Sequence, residues 1–571
     1  MIPIIITTRK QNISSVRALS IFTAFACMVV MFVMLCGVAG AVEYGPTSGI
    51  RDINSGNSSY WSTVLSNNDS YVNTYIVVKD GATLNLSNAT IRFQNYNFYI
   101  NVDDNATLNI TDGSLITATS SSYNYYFRYY SGSYGYIDDS TIQYSRRLEI
   151  NTQNNLKITN NSILNNQYEG IYLASTSENV NITNNAISNT GAGYEGIYIN
   201  SVTGNVNITN NTITDTGAEG IYISSSDNNI LRDNTITNTG TEGIYISSSD
   251  NNTLLDNTIT NAGTIGINIA SSGNNFLRDN NINGTLRGLY VAGNYTNDID
   301  TSNRVNGGLV YYRNNIDGVS IVGDDNVGHI TLNGCSNVSV KDNTLIANGD
   351  GIRLESSTDN VTIDNNILST SNYYGITLAS SQANITNNIV TSSDQTAISL
   401  STSDNSNLTN NMVSGGGDAA LGIKLTSSNY NNLTNNTVTG TLYNIDGIGL
   451  SNSDFNVLIE NILIYEGGMD GISLSSSDSN NLINNSLKNK NQAGLLLSYS
   501  SDNTIINNDV TGNNWGGITI ESSSSNNISN NEVLSNGVGG VQFDVQKSGV
   551  NMISGSNNLI DSNNISLNKL N

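Results

Sequence analysis

Short runs in which isoleucine, leucine or valine alternate with polar residues recur along most of the chain, separated by clusters of Asn, Asp, Ser, Thr and Gly. Residues 220–242 read GIYISSSDNNILRDNTITNTGTE, and residues 243–265 read GIYISSSDNNTLLDNTITNAGTI. Within such a unit Ile221 and Ile223, then Ile230, then Ile236 mark three apolar stretches with a period of two. That is the pattern of strands with one face inward. The tripeptide Gly-Ile-Tyr or a relative begins at Gly170, Gly196, Gly220, Gly243, Gly266 and Gly288. It resumes at Gly351, Gly375, Ala397, Gly422, Gly447, Gly471, Gly494, Gly517 and Gly540. A fixed period near 23 residues means a solenoid. Leucine-rich repeats have a similar length but need a Leu-dominated consensus and a helical back, whereas the residues between strands here are turn formers. Only Pro3 and Pro46 occur, as expected where every later strand is paired on both sides. The pattern predicts an all-β parallel β-helix of roughly twenty coils of 22–25 residues, each about 4.8 Å above the last.

Asn pairs such as Asn184-Asn185, Asn210-Asn211, Asn365-Asn366, Asn410-Asn411 and Asn484-Asn485 hold one place in the coil. Asn tolerates a left-handed backbone, and its amide can bond its counterpart one coil away, so the pairs read as structural ladders. Residues 42–150 keep strand character without the clear repeat and read as an N-terminal cap with irregular first coils. Tyr123, Tyr125, Tyr126, Tyr129, Tyr130, Tyr134 and Tyr136 cluster there around Phe127, as packing within the cap or, alternatively, as a binding surface. The repeat domain runs from 151 to 571 with an atypical segment at 289–350, which would make one rod about 100 Å long.

Composition narrows the functional classes. About one residue in six is Asn, and 46 Asp+Glu against 22 Lys+Arg give a net charge of −24. With a pI near 4.2 and no basic tract, nucleic acid and anionic lipid have no electrostatic basis as partners. Arg9, Lys10 and Arg17 precede an apolar run from Ala18 to Val42 that ends in Ala39-Gly40-Ala41, so residues 1–41 read as a signal peptide. An uncleaved anchor is the alternative; in both cases the remainder faces the outside. Cleavage would remove three positive charges and leave −27. Cys335 would then stand alone, which excludes an intrachain disulfide. Sequons such as those at Asn88, Asn181, Asn207, Asn283, Asn384, Asn432 and Asn527 admit glycosylation.

Residues 303–343, NRVNGGLVYYRNNIDGVSIVGDDNVGHITLNGCSNVSVKDN, are followed by GDGIRL and further Asn-Asn coils. This stretch resembles the NosD-like family of secreted archaeal and bacterial proteins, and the resemblance spans roughly residues 150–564. It implies right-handed winding of the pectate-lyase-like kind and repeats of a carbohydrate-binding or sugar-hydrolysis type. The copper delivery linked to founding members does not transfer. Beyond the leading segment the soft ligands are His329, Cys335, Met412, Met469 and Met552, and an isolated His/Cys pair reads as filling a coil. No metal site is expected from them.

Chemistry, if present, sits beside the first strand of each coil. The residue before the opening Gly is acidic at Glu169, Glu195, Glu219 and Glu242, and again at Asp350, Asp446 and Asp470. The four Glu fall on consecutive coils and predict a carboxylate column about 5 Å apart, whose like charges raise one another's pKa unless a cation bridges them. Calcium is the one cofactor this column admits; none is otherwise implied. Three residues on, Tyr172, Tyr198, Tyr222 and Tyr245 face outward if both Ile of Gly-Ile-Tyr-Ile face the core. An aromatic column beside an acidic one suits a glycan-binding face; a Tyr ladder that only strengthens the sheet is the plainer account.

Two functions from different classes follow. One is a secreted or cell-surface rod without enzymatic activity, serving as envelope component, adhesin or glycan-binding module. The other is a secreted carbohydrate-active enzyme with Glu195, Glu219 and Glu242 as the catalytic candidates. Between residues 150 and 250 only Lys157 and Arg232 are basic, which weighs against a lyase or epimerase acting on uronic acids. A hydrolase of neutral glycans survives that objection.

Overall fold

The computed structural model describes residues 51–568 apart from residues 153, 176–178, 347–348, 358, 370–372, 394, 416–420, 441–445, 466–468, 490–491 and 538–548. The leading segment 1–41 and Gly540 lie outside the described residues. Each coil adds one strand to each of three parallel sheets. In the coil that starts at Gly220 these are Ile221–Ser224, Ile230–Arg232 and Thr235–Thr239. Their partners one coil on are in strict register: Ile221 with Ile244, Leu231 with Leu254 and Ile236 with Ile259. The architecture is the all-β parallel solenoid of about twenty turns that the period predicts.

Alternation sets the core, with one correction. Ile221, Ile223, Leu231 and Ile236 are fully buried, whereas Ile230 is exposed. Asn229 already faces the interior, so alternation from it turns Ile230 out and Leu231 in. The glycine that opens the coil is dictated by space. A Cβ on Gly220 would lie 2.4 Å from Ile236 Cγ2 and 2.7 Å from the Gly243 carbonyl oxygen, closer than any side chain permits.

The two members of each Asn pair divide the labour. The first takes the left-handed turn, as Asn184, Asn210 and Asn410 do at φ 57°, 54° and 56°. The second is buried and forms the ladder. Asn234 Nδ2 donates to Asn257 Oδ1 at 2.9 Å, and Asn257 Nδ2 to Asn280 Oδ1 at 2.9 Å and to the Leu231 carbonyl at 2.9 Å. Each inward amide thus bonds the amide one coil on and a strand carbonyl one coil back.

Parallel pairing already holds at residue 51, where Arg51–Ile53 pairs with Ile76–Val78, and a helix at Ser58–Leu65 packs on Thr83–Ser87. Tyr125, Phe127 and Tyr129 alternate inward and are fully buried, while Tyr134 and Tyr136 are exposed. The apolar interior falls into two clusters, one from Ile53 to Tyr312 and one from Val319 to Val533. At the end of the first cluster the parallel pairing of the described strands is interrupted. Arg304–Val305 pairs antiparallel with Gly308–Leu309 across a two-residue turn at Asn306 (φ 48°) and Gly307 (φ 83°), the mirror-image turn that favours Asn-Gly. Parallel stacking then resumes, with Gly308–Asn314 against Val327–Asn333.

Candidate functional site

The residues singled out in the sequence come together on the first sheet. Tyr172, Tyr198, Tyr222 and Tyr245 occupy one outward register across four coils. Their rings pack on each other: Tyr198–Tyr222 and Tyr222–Tyr245 are stacked at 4.8 Å with interplanar angles of 1° and 6°, and Tyr172–Tyr198 is tilted at 5.3 Å. The ring faces are therefore turned to one another, and edges and hydroxyl groups meet solvent. Burial, reinforced by Tyr222 and Tyr172, pushes the Tyr198 hydroxyl up to about 12.

Glu169, Glu195, Glu219 and Glu242 run alongside. Glu169 is buried and the other three are half-buried. The Glu195 carboxyl is pushed up to about 7, chiefly by burial, with the Glu219 and Glu169 carboxylates adding to it against a backbone hydrogen bond. Glu219 is raised too, again chiefly by burial, with Glu242 contributing. Like-charge repulsion is thus real but secondary to desolvation. Glu242 accepts a hydrogen bond from Asn268 Nδ2 at 3.3 Å.

One contributor falls outside the window in which the sequence shows only Lys157 and Arg232. The strand Ser145–Ile150 carries a bulge between Ser145 and Leu148. The extra residue re-aims Arg147. Its Nη1 reaches both Glu169 oxygens at 3.2 Å, its Nε reaches Glu149 at 3.3 Å, and its guanidinium lies 4.1 Å over the Tyr172 ring. The acidic column therefore begins on a positive charge. The three downstream acids differ from this column. Asp446 accepts the Asp470 N–H at 3.0 Å and the Ser473 hydroxyl at 2.6 Å, and Asp470 accepts the Ala493 N–H at 2.8 Å, so both are tied into the next coil. Asp350 is buried in an ion pair with Arg287.

His329 and Cys335 are each held inside the coils by hydrogen bonds of their own. His329 is buried, with Nδ1 3.1 Å from the Asp350 carbonyl and Nε2 2.7 Å from the Thr331 hydroxyl, and burial pulls it down to about 4. Cys335 is also buried, with Sγ donating toward the Asn333 and Arg313 carbonyls at 3.4 and 3.6 Å. Among the described residues no three His, Cys, Asp or Glu converge as metal ligands, and no helix is long and apolar enough to cross a membrane. A hollow of about 340 Å³ beside the N-terminal helix is lined by Ser58, Ser59, Ser62, Thr63, Ser66, Thr83 and Asn85, none of them titratable.

The half-buried carboxyl of Glu195 gives one measurable consequence. Its folded pKa lies above the unfolded value, so its contribution to stability is complete below about pH 4.5 and lost as pH rises through about 7. Glu195→Gln is expected to flatten that decline and to raise stability at pH 8 by on the order of 1 kcal/mol after allowance for solvent screening. Thermal midpoints of both chains from pH 4 to 8 check it. Equal slopes would mean that the carboxyl titrates as it does in water.

Register and buried Asn ladders together define a parallel β-helix that carries Tyr and Glu rows along its first sheet. The chain belongs to the family described as right handed beta helix region, whose model matches residues 74–203, 195–328 and 397–565. Residues 285–446 also match the family of the periplasmic copper-binding protein (NosD). A search of curated proteins finds no significant match. Among solved structures, the periplasmic alginate epimerase AlgG aligns at 13% identity over 69% of this chain and 77% of its own, with a TM-score of 0.26. The catalytic unit of the GH87 α-1,3-glucanase from Streptomyces thermodiastaticus aligns at 12% identity over 77% and 71%, TM-score 0.26. The alginate lyase from Paenibacillus sp. aligns at 15% identity over 68% and 93%, TM-score 0.19. These likenesses concern the fold and do not bear on what this chain does.

Proposed function

We propose that this is an extracytoplasmic β-helix protein that binds neutral glycans along its outward Tyr/Glu face without cleaving them. The observation that carries the reading is the unbroken row Tyr172–Tyr198–Tyr222–Tyr245 beside half-buried carboxyl groups on the same coils. A glycan laid along the axis would meet a hydroxyl and a carboxyl group once per coil, close to the spacing of its own sugars. Because the rings cover one another, contact is through edges and hydrogen bonds. A chain of charge −24 repels polyanionic glycans and not neutral ones.

A second reading, a hydrolase of neutral polysaccharides, is favoured by one observation. A carboxyl group with pKa about 7 at Glu195, next to the Arg-paired Glu169, is the kind of proton donor a glycosidase requires. Affinity electrophoresis tests the binding reading. The chain is expected to be retarded in gels containing neutral polysaccharides and to run freely in gels containing alginate. Equal mobility in every gel would overturn it.

A further inference from the structure

The aromatic residues that suit the backbone least are at a corner of the second core, away from the tyrosine row. Between the first and second strands of these coils two residues are left-handed, and on consecutive coils the second of them is Asn405, Tyr430, Phe455, Ser479, Asp502 and Ser525, all at φ 57–58°. The matching position in earlier coils is Asn228, Asn251 and Asn274. Asn and Asp tolerate this conformation; for a bulky aromatic it is an outlier of the kind that collects at functional sites. Tyr430 and Phe455 are nevertheless placed there, 55% and 48% exposed, with rings stacked at 5.1 Å and 4°. Tyr499, 68% exposed at φ 51°, takes the neighbouring left-handed position two coils beyond Phe455.

The corner is held rigidly. Tyr430 and Phe455 donate their N–H groups to the carbonyls of Asp454 and Asp478, both at 3.2 Å. Asp454 Oδ1 accepts the Asp478 N–H at 2.7 Å, and Asp478 Oδ1 accepts the Ser501 N–H at 2.6 Å, so both carboxylates are fixed beside the rings. The flanking rungs are Asn405 and Ser479. Each ring therefore has one face on the other ring and one face over a smaller side chain.

We propose that Tyr430 and Phe455, with Asp454 and Asp478 beside them, form a binding site for a neutral saccharide. A pyranose would lay its C–H face on the free face of a ring as the next rung of the stack, and its hydroxyls would donate to the fixed carboxylates. Acidic sugars are disfavoured because Asp404, Asp454, Asp478 and Asp502 all lie on this corner. A protein partner needs a broader apolar surround than the Ser, Asn and Asp found here. The proposal rests on the glycan-binding reading and adds a location to it.

The backbone supplies an unusually clean test. Tyr430→Asn with Phe455→Asn restores the residue type used at this position elsewhere in the solenoid, so the double variant should fold with an equal or higher thermal midpoint. With the tyrosine row disabled by Tyr222→Ala, saturation-transfer NMR with cellohexaose, laminarihexaose and mannohexaose is expected to show remaining binding that adding Tyr430→Asn and Phe455→Asn weakens at least tenfold. Binding that survives in the double variant but is lost in Tyr222→Ala overturns this site and leaves the glycan reading standing. No binding of any probe by the unaltered chain overturns both.

Discussion

Arg287→Met is expected to destabilise the protein by about 3 kcal/mol, because it leaves the buried Asp350 carboxylate with only Arg353, 3.9 Å away, as a cation. Arg287 begins the strand Arg287–Ala292 at the end of the first core, and Asp350 begins Asp350–Glu355 in the second. Their ion pair spans the junction, with side-chain exposures of 14% and 1%. The guanidinium also lies 4.0 Å over Tyr290 and 4.7 Å over Tyr373, and a Cβ on Gly349 would come within 2.2 Å of Arg287 Cα. Methionine keeps much of the length and packing while removing the charge, so the loss reports the weakened pairing of Asp350, which keeps only Arg353. Adding Asp350→Asn should recover most of it, since a neutral amide has far less need of the cation. Denaturant midpoints of the single and double variants check this; no recovery would place the loss in packing instead.

The buried amide ladder carries the second large effect. Asn257→Ala leaves the Asn234 N–H and Nδ2 without their shared acceptor, at 3.1 and 2.9 Å, and removes the 2.9 Å side-chain donor to the Leu231 carbonyl. Two orphaned groups in a dry interior cost about 2–5 kcal/mol. Asn257→Asp should cost at least as much, because it exchanges the donor for a buried charge. Asn261 provides the contrast. It is an exposed, left-handed turn residue at φ 54°, where Asp is also tolerated, so Asn261→Asp should change stability by less than about 1 kcal/mol. Chemical denaturation of the three variants separates the ladder from the turn.

The fold is legible because solenoid repeats write the same local solution in every coil. Ile221, Ile223 and Ile236 announce the inward positions, and Gly220 marks the place with no room for a Cβ. The error at Ile230 arose where a buried polar residue, Asn229, rather than an apolar one, sets the phase of the strand. The chain reversal at residues 304–309 had a signal in Asn306-Gly307, the dipeptide of a tight hairpin, within a block otherwise read only for its family likeness. The candidate face was legible as columns, because identical spacing places Tyr172 to Tyr245 and Glu169 to Glu242 in register. Its electrostatics were not. Arg147 reaches Glu169 through a bulge that no periodicity encodes, and burial, which shifts Glu195 more than its neighbours do, follows from packing rather than spacing. The corner aromatics escaped for a related reason: Tyr430 and Phe455 look unremarkable until their left-handed backbone is seen.

The central claim is that this β-helix holds neutral glycans without cutting them. Its most direct test is to incubate the chain lacking residues 1–41 with neutral polysaccharides and calcium, then follow polymer size and reducing ends by gel filtration. The account predicts polymer that co-elutes with the protein, keeps its length, and gains no reducing ends. Shortened polymer that no longer forms with Glu195→Gln would contradict it and establish the carboxylate column as a catalytic site.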